Sequence, residues 1–249
     1  TADENSVSAT GNPYLDTLIF GDKWNDDHAV TFYFDDRDEP EQAWIDAGKE
    51  AIRDALAAYA RYIDLEFEEV DNAADANFVL QMHSQDELSG PGEDVLGIFG
   101  AITESDDQAV GKFQYDWGRW TPEHLQVGGF AFGSLVLHEL GHGLGLEHSH
   151  GSGGLAGEPF PGVEAWNDRG DDDLNWGIWT VMSYNDSGEL WSPLPLSSDY
   201  GWGFQGTPMA FDVAALQHIY GANTSYMTGN TIWTLPDTNG NGTYWQTLW

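Results

Sequence analysis

The chain of 249 residues carries 42 acidic and 8 basic side chains, a formal net charge of -34 that repels nucleic acid and anionic membranes. It has no cysteine, which excludes disulfides, thiolate metal ligands and a cysteine nucleophile and leaves histidine and carboxylate to hold any metal. A 41% hydrophobic content with 12 Trp, 10 Tyr and 12 Phe is ample for one large core or two smaller lobes, and no apolar run reaches the eighteen or so residues of a membrane span.

The opening stretch from Thr1 to Tyr14 has neither the basic start nor the apolar run of a signal peptide and reads as an already processed form. Ala29 to Phe34 reads as a strand, and Trp44, Ala47, Ala51, Ala55, Tyr59 and Tyr62 mark a long amphipathic helix over about Glu39 to Tyr62, packed on a sheet. Leu65 to Val70 alternates with period two, and Asn77 to Met82 and Lys112 to Trp117 read as further strands, with a loop at Ser89 to Gly92. Phe132, Leu135, Val136, Leu140 and Leu144 predict a helix over Phe130 to Gly145. Glycine tolerates the left-handed terminal conformation, so the chain should turn sharply at Gly145. Residues 150 to 178, rich in Gly and Asp, read as a long surface loop, Pro208 to Tyr220 as a helix, and Asn223 to Trp249 as short strands and turns.

Chemistry concentrates in His138-Glu-Leu-Gly-His142-Gly-Leu-Gly-Leu-Glu-His148. Residues four apart share a helix face, so His138 and His142 point at one ion with Glu139 beside them. Once Gly145 reverses the chain, His148 approaches the same ion from another side, leaving a fourth position open as in catalytic rather than structural zinc sites. Zinc lowers the pKa of its water to about 7, and Glu139 is placed to act as general base. Five fixed positions of this kind recur by accident in roughly one such chain in ten thousand, so coincidence is a poor account of them.

The motif resembles that of the metzincin zinc endopeptidases, which implies a methionine-containing turn downstream; Thr180-Val-Met182-Ser-Tyr184 supplies one. The resemblance implies that Met182 packs beneath the ligands and that Tyr184 is an additional zinc ligand at rest and an oxyanion donor during turnover. A core tyrosine is the plainer reading of Tyr184. Asn12 to Trp24 and Phe211 to Asn223 are similar to the start and the closing helix of a serralysin protease domain, whereas Ser149 stands where serralysins usually have proline and matches matrixins.

The resemblance implies an α+β, two-lobed domain with a twisted, mostly parallel sheet and long helices in the upper lobe. Its protease domain would span 1 to 223, with the upper lobe to about 145 and an irregular lower lobe from about 146. Residues 224 to 249 would be a stub leading toward a calcium-binding roll that this sequence does not contain. It further implies a secreted bacterial monomer that takes protein or peptide substrates, with an inhibitory propeptide and calcium beside zinc. Extended substrate would add to an edge strand around Gly97 to Ile102.

Carboxylates Asp168, Asp171, Asp172 and Asp173 with Gly170 suit a calcium ion, against the plainer reading of a solvated loop. His150 is poorly placed to complete the tetrahedron and reads as a surface residue, and His28, His83, His124 and His218 as polar or satisfied core histidines. A non-catalytic binding or adhesion module of the same fold predicts loss of the base or of a ligand, and all four residues are present. Hydrolysis of a non-peptide amide is compatible with the same motif.

Overall fold

The computed structural model describes residues 5–24, 29–37, 42–89, 95–100, 108–185, 201–237 and 240–249. Of the expected features, His28, residues 39 to 41 at the start of the long helix, residues 90 to 92 of the first loop and residues 101 to 102 at the end of the edge segment lie outside the described residues.

The elements run α1 (Pro13–Leu18), β1 (Ala29–Asp35), α2 (Asp46–Ala60), β2 (Glu66–Glu69), β3 (Phe78–His83), α3 (Gln85–Leu88), β4 (Gly97–Phe99), β5 (Ala109–Gln114), α4 (Pro122–Leu125), α5 (His138–Gly143) and α6 (Ala210–Tyr220). The five strands of the described residues form one sheet in the order β2-β1-β3-β5-β4. β1 pairs in parallel with β2 and β3, and β3 with β5, while β4 alone runs antiparallel, with Gly97 opposite Phe113. The fold is thus α+β with a mostly parallel sheet, as the resemblance implied. The strand expected at Lys112 to Trp117 sits three residues earlier, because Phe78 pairs with Ala109 and fixes that end.

α2 is shorter than its periodicity suggested: Trp44 precedes it, ring edge-on to Phe34 and Phe113, with Nε1 donating to Leu80 O at 3.1 Å. Ala51, Ile52, Ala55, Leu56 and Tyr59 bury the inner face of α2 in the core. The long helix expected over Phe130 to Gly145 divides in two. Phe132–Leu137 is π-helical and hands over to α5 at His138. π segments are rare and concentrate at functional sites. Here the buried Tyr59 hydroxyl donates to Leu137 O at 2.7 Å, the last carbonyl before the helix tightens.

Trp24 Nε1 donates to Gly143 O at 2.8 Å and the Tyr220 hydroxyl to Leu144 O at 3.0 Å, satisfying carbonyls that the helix end leaves open. Gly145 then takes φ +95°, a region that costs glycine little. The chain after it lies against the segment following α1: Phe20 N donates to Gly145 O at 3.0 Å and Glu147 N to Leu18 O at 2.8 Å.

Residues 150 to 178 hold no strand and a single three-residue helical turn, but they are not a free surface loop. Phe160 N donates to Ser149 O at 2.9 Å, and Asn175 is fully buried. The C-terminal segment differs from expectation in having no strand among its described residues. It docks through turns and one bridge, Gln205 with Trp245, and leaves Ile232 and Leu235 exposed. No helix of the described residues is long and apolar enough to cross a membrane.

Candidate active site

His138 and His142 lie one turn apart on buried α5, and His148 arrives after the Gly145 reversal. His148 Nε2 stands 3.1 Å from His138 Nε2 and 3.0 Å from His142 Nε2. The edge of a tetrahedron built on zinc–nitrogen bonds of about 2.0 Å is about 3.3 Å, so the spacing suits three ligands of one ion. Among the described residues this trio is the one group of three or more metal-binding side chains whose ligand atoms converge.

The second nitrogen of each ring supports the same reading. His138 Nδ1 donates to Val181 O and His142 Nδ1 to Leu146 O, each at 2.7 Å, while His148 Nδ1 faces Glu147 Oε1 at 3.3 Å. With protons on Nδ1, the Nε2 lone pairs point at one another across about 3 Å, an arrangement that repels unless a cation sits among them. Burial, and then the neighbouring imidazoles, hold His138 well below the usual histidine range; the same causes bring His142 down to about 3. Neutral imidazole is the form that binds metal. The residues present therefore fit zinc.

Glu139 lies fully inside, and burial pushes its carboxyl up to about 8, opposed by the Phe99 backbone N–H that donates to it. Among the described residues Oε2 has no hydrogen-bond partner. A divalent cation among the imidazoles favours the carboxylate and counters the burial. A Cβ on Gly97 would sit 2.6 Å from Glu139 Cγ, so β4 crosses directly over the carboxylate only because that position is glycine. Val95, Leu96, Gly97, Phe130, Ser134, Leu135, His138, Glu139, Ser183 and Tyr184 together line a cleft of about 280 Å³.

Met182 is fully buried beneath α5, and a Cβ on Gly141 would lie 2.8 Å from its sulfur; the glycine lets helix and turn approach. The turn is pinned by Asp212 of α6, whose buried carboxylate accepts from Thr180 Oγ1 at 2.5 Å, Val181 N at 2.8 Å and Met209 N at 2.8 Å. Tyr184 is about half exposed and places its hydroxyl 3.1 Å from His148 Nε2, beside the point where the three nitrogens converge. Burial, then the charges of Glu139 and Glu147, push it up to about 12, so it is a proton-bearing donor at neutral pH.

His150 departs from the surface reading. Its ring stacks on His148 at 4.8 Å between centroids and packs against Tyr184 at 4.5 Å, and burial brings it down to about 4. His83 is buried and accepts from Arg37 at 2.9 Å, His124 bonds Thr121, and His218 bonds Ser8 O. The four aspartates do not gather around one point among the described residues. Asp168 Oδ2 accepts from Glu164 N and Ala165 N, Asp171 lies against Gly162, and Asp172 and Asp173 are exposed with φ of 57° and 58°. Ser149, the departure from the serralysin pattern, donates to Asn175 Oδ1 at 2.5 Å and so ties the third histidine's neighbour to the acidic loop.

Asp212 and Glu147 escaped sequence reasoning, because a lone acidic residue next to a motif or in an amphipathic helix looks like any solvated one. Tyr59, at a helical core position, gave no hint of its bond to Leu137.

Comparison with known proteins places the site in a family. A family model described as matrixin, a peptidase family, matches residues 23–161, more than half of the chain. A serralysin of Proteus mirabilis is 32% identical over 116 residues, 47% of this chain and 20% of the relative. Serralysin C of Dickeya chrysanthemi is 32% identical over 98 residues, 39% of this chain and 18% of the relative. Serralysin A of the same organism is 26% identical over 113 residues, 45% of this chain and 20% of that protein. The matched stretch spans about a fifth of the length of these relatives. With the convergent histidines on a mostly parallel sheet, these matches mean that the chain belongs to the matrixin peptidase family and has a serralysin-like metzincin catalytic fold.

Proposed function

We propose that this chain is a secreted, extracellular zinc-dependent endopeptidase that hydrolyses peptide bonds in proteins. The observation that carries the reading is the convergence of His138, His142 and His148, each with Nδ1 facing an acceptor, beside the buried Glu139, whose Oε2 has no partner among the described residues. The three imidazoles would hold zinc, which when bound supplies Lewis acidity that activates water and polarises the substrate carbonyl.

The chain's own residues do the rest. Glu139 accepts the proton of the attacking water at Oε2 and returns it to the leaving amine. The Tyr184 hydroxyl swings from His148 to donate to the carbonyl oxygen as negative charge builds there. β4, paired on one side with β5, offers backbone groups to an extended peptide, and the cleft between Phe130, Leu135 and Tyr184 takes an apolar side chain of it. Met182 supports the ligands from below.

We read residues 1 to 223 as the peptidase domain, divided near Gly145, and 224 to 249 as a C-terminal stub that folds back onto it through the Gln205–Trp245 bridge. A propeptide that blocks the cleft, a monomeric state and a bacterial source complete this reading, on the strength of the serralysin likeness. Calcium at Asp168 to Asp173 rests on residue type alone, since Asp168 already spends an oxygen on two backbone N–H groups.

The test is cleavage of casein by the purified, propeptide-free chain with and without chelator, and by Glu139→Gln. The expected result is chelator-sensitive cleavage, and a loss of about 10²- to 10⁴-fold in kcat/KM for Glu139→Gln with zinc retained. Absence of cleavage by a zinc-loaded chain would favour the binding-module alternative.

A further inference from the structure

His138 and His142 are each oriented by a backbone carbonyl, whereas His148 is oriented by a side chain: Glu147 Oε1, 3.3 Å from Nδ1. The same oxygen accepts from the His148 backbone N–H at 2.6 Å, so the carboxylate is tied to the residue whose ring it faces. The Glu147 side chain is only 12% exposed, and burying a carboxylate is costly unless it is paired. Its surroundings are shaped to admit it. A Cβ on Gly153 would stand 2.1 Å from Glu147 Oε2, and one on Gly151 2.8 Å from Cδ and Oε1. The glycines after His150 thus close over the carboxylate, and a Cβ at either position would push it aside.

We propose that Glu147 is a positioning residue for the third metal ligand: its carboxylate holds the His148 ring with Nδ1–H toward itself and Nε2 toward the shared centre, and tightens the grip on zinc. The inference rests on the zinc reading above. A carboxylate behind an imidazole fixes its tautomer and raises its basicity, and removing such a partner typically costs about 10- to 100-fold in metal affinity. The carboxylate also places one negative charge behind an otherwise neutral trio of ligands.

The test compares the parent chain, Glu147→Gln, Gly153→Ala and Ser152→Ala, all stripped of metal and titrated with zinc. Affinity is read by competition with a chromophoric chelator, zinc release by adding excess chelator, and the His148 Nδ1–H by its proton resonance in the zinc-loaded protein. Glu147→Gln keeps the shape and removes the charge; it is expected to bind zinc about 10- to 100-fold more weakly, release it faster and shift that resonance upfield. Gly153→Ala keeps the charge but crowds it, and should move all three readouts the same way. Ser152 is exposed, and its alanine variant should match the parent.

Equal zinc affinity, within twofold, of parent and Glu147→Gln would overturn the proposal while leaving the zinc site intact. Should Glu147→Gln fail to fold, unaltered affinity and resonance in Gly153→Ala would overturn it equally. A folded parent that binds no zinc would instead sink the site assignment itself.

Discussion

Asp212 holds the methionine turn to α6 with no exposure to solvent, and two opposed effects act on it. Three donors, Thr180 Oγ1, Val181 N and Met209 N, favour its ionised form, while burial disfavours it. Burial prevails and raises the carboxyl from 3.8 to about 6. Asp212→Ala leaves three buried donors without an acceptor, at about 1–2 kcal/mol each, so about 3–6 kcal/mol of stability is lost at low pH. That is a large part of the 5–15 kcal/mol, roughly, on which a domain rests.

The sign of the pH dependence is unusual for an aspartate. Between 3.8 and about 6 the folded state binds the proton more tightly than the unfolded state, so the contribution of Asp212 falls as pH rises through that window. The full change is worth about 3 kcal/mol, of which about half falls between about pH 5 and pH 8. Urea unfolding of the metal-free parent and of Asp212→Ala across that range measures it. The difference between them should shrink with increasing pH by about 1–1.5 kcal/mol. A difference that grows with pH would show that the three donors outweigh burial and refute the reasoning. A loss below about 1 kcal/mol throughout would show that the turn does not depend on Asp212.

Tyr184→Phe removes the hydroxyl 3.1 Å from His148 Nε2 and keeps the ring against His150. In steady-state cleavage of a peptide it should lower kcat by about 10²- to 10³-fold with zinc content unchanged, and an effect confined to KM would count against an oxyanion role. The net charge of -34 repels itself in the folded state, so raising KCl from about 0.05 to 1 M should lift the melting temperature by at least about 5 °C; a flat or falling response would show that the acidity is locally paired.

Helix geometry and residue chemistry alone account for the heart of the site. A spacing of four residues puts His138 and His142 on one face, Gly145 is the residue that can reverse the chain, and the absence of cysteine leaves imidazole and carboxylate as the available ligand types. These are local properties, and periodicity within one segment carries them. The same holds for β1, β2, β3, α2 and α6, whose apolar spacing announces them, though α2 starts late because Trp44 is drawn into the sheet's core.

The supporting shell was decided by the tertiary structure. Asp212 reaches Val181 from 31 residues away and Tyr59 reaches Leu137 from 78, and neither bond has a spacing rule that could announce it. The antiparallel direction of β4, which brings Gly97 over Glu139, depends on a pairing with β5 rather than on its own three residues. Residues 150 to 178 look like a solvated loop by composition, yet Ser149, Asn175 and the glycines around Glu147 fold them onto the third histidine. Ligand identity is local chemistry; how each ligand is aimed depends on contacts between segments distant in the chain, and these exist only once the chain is folded.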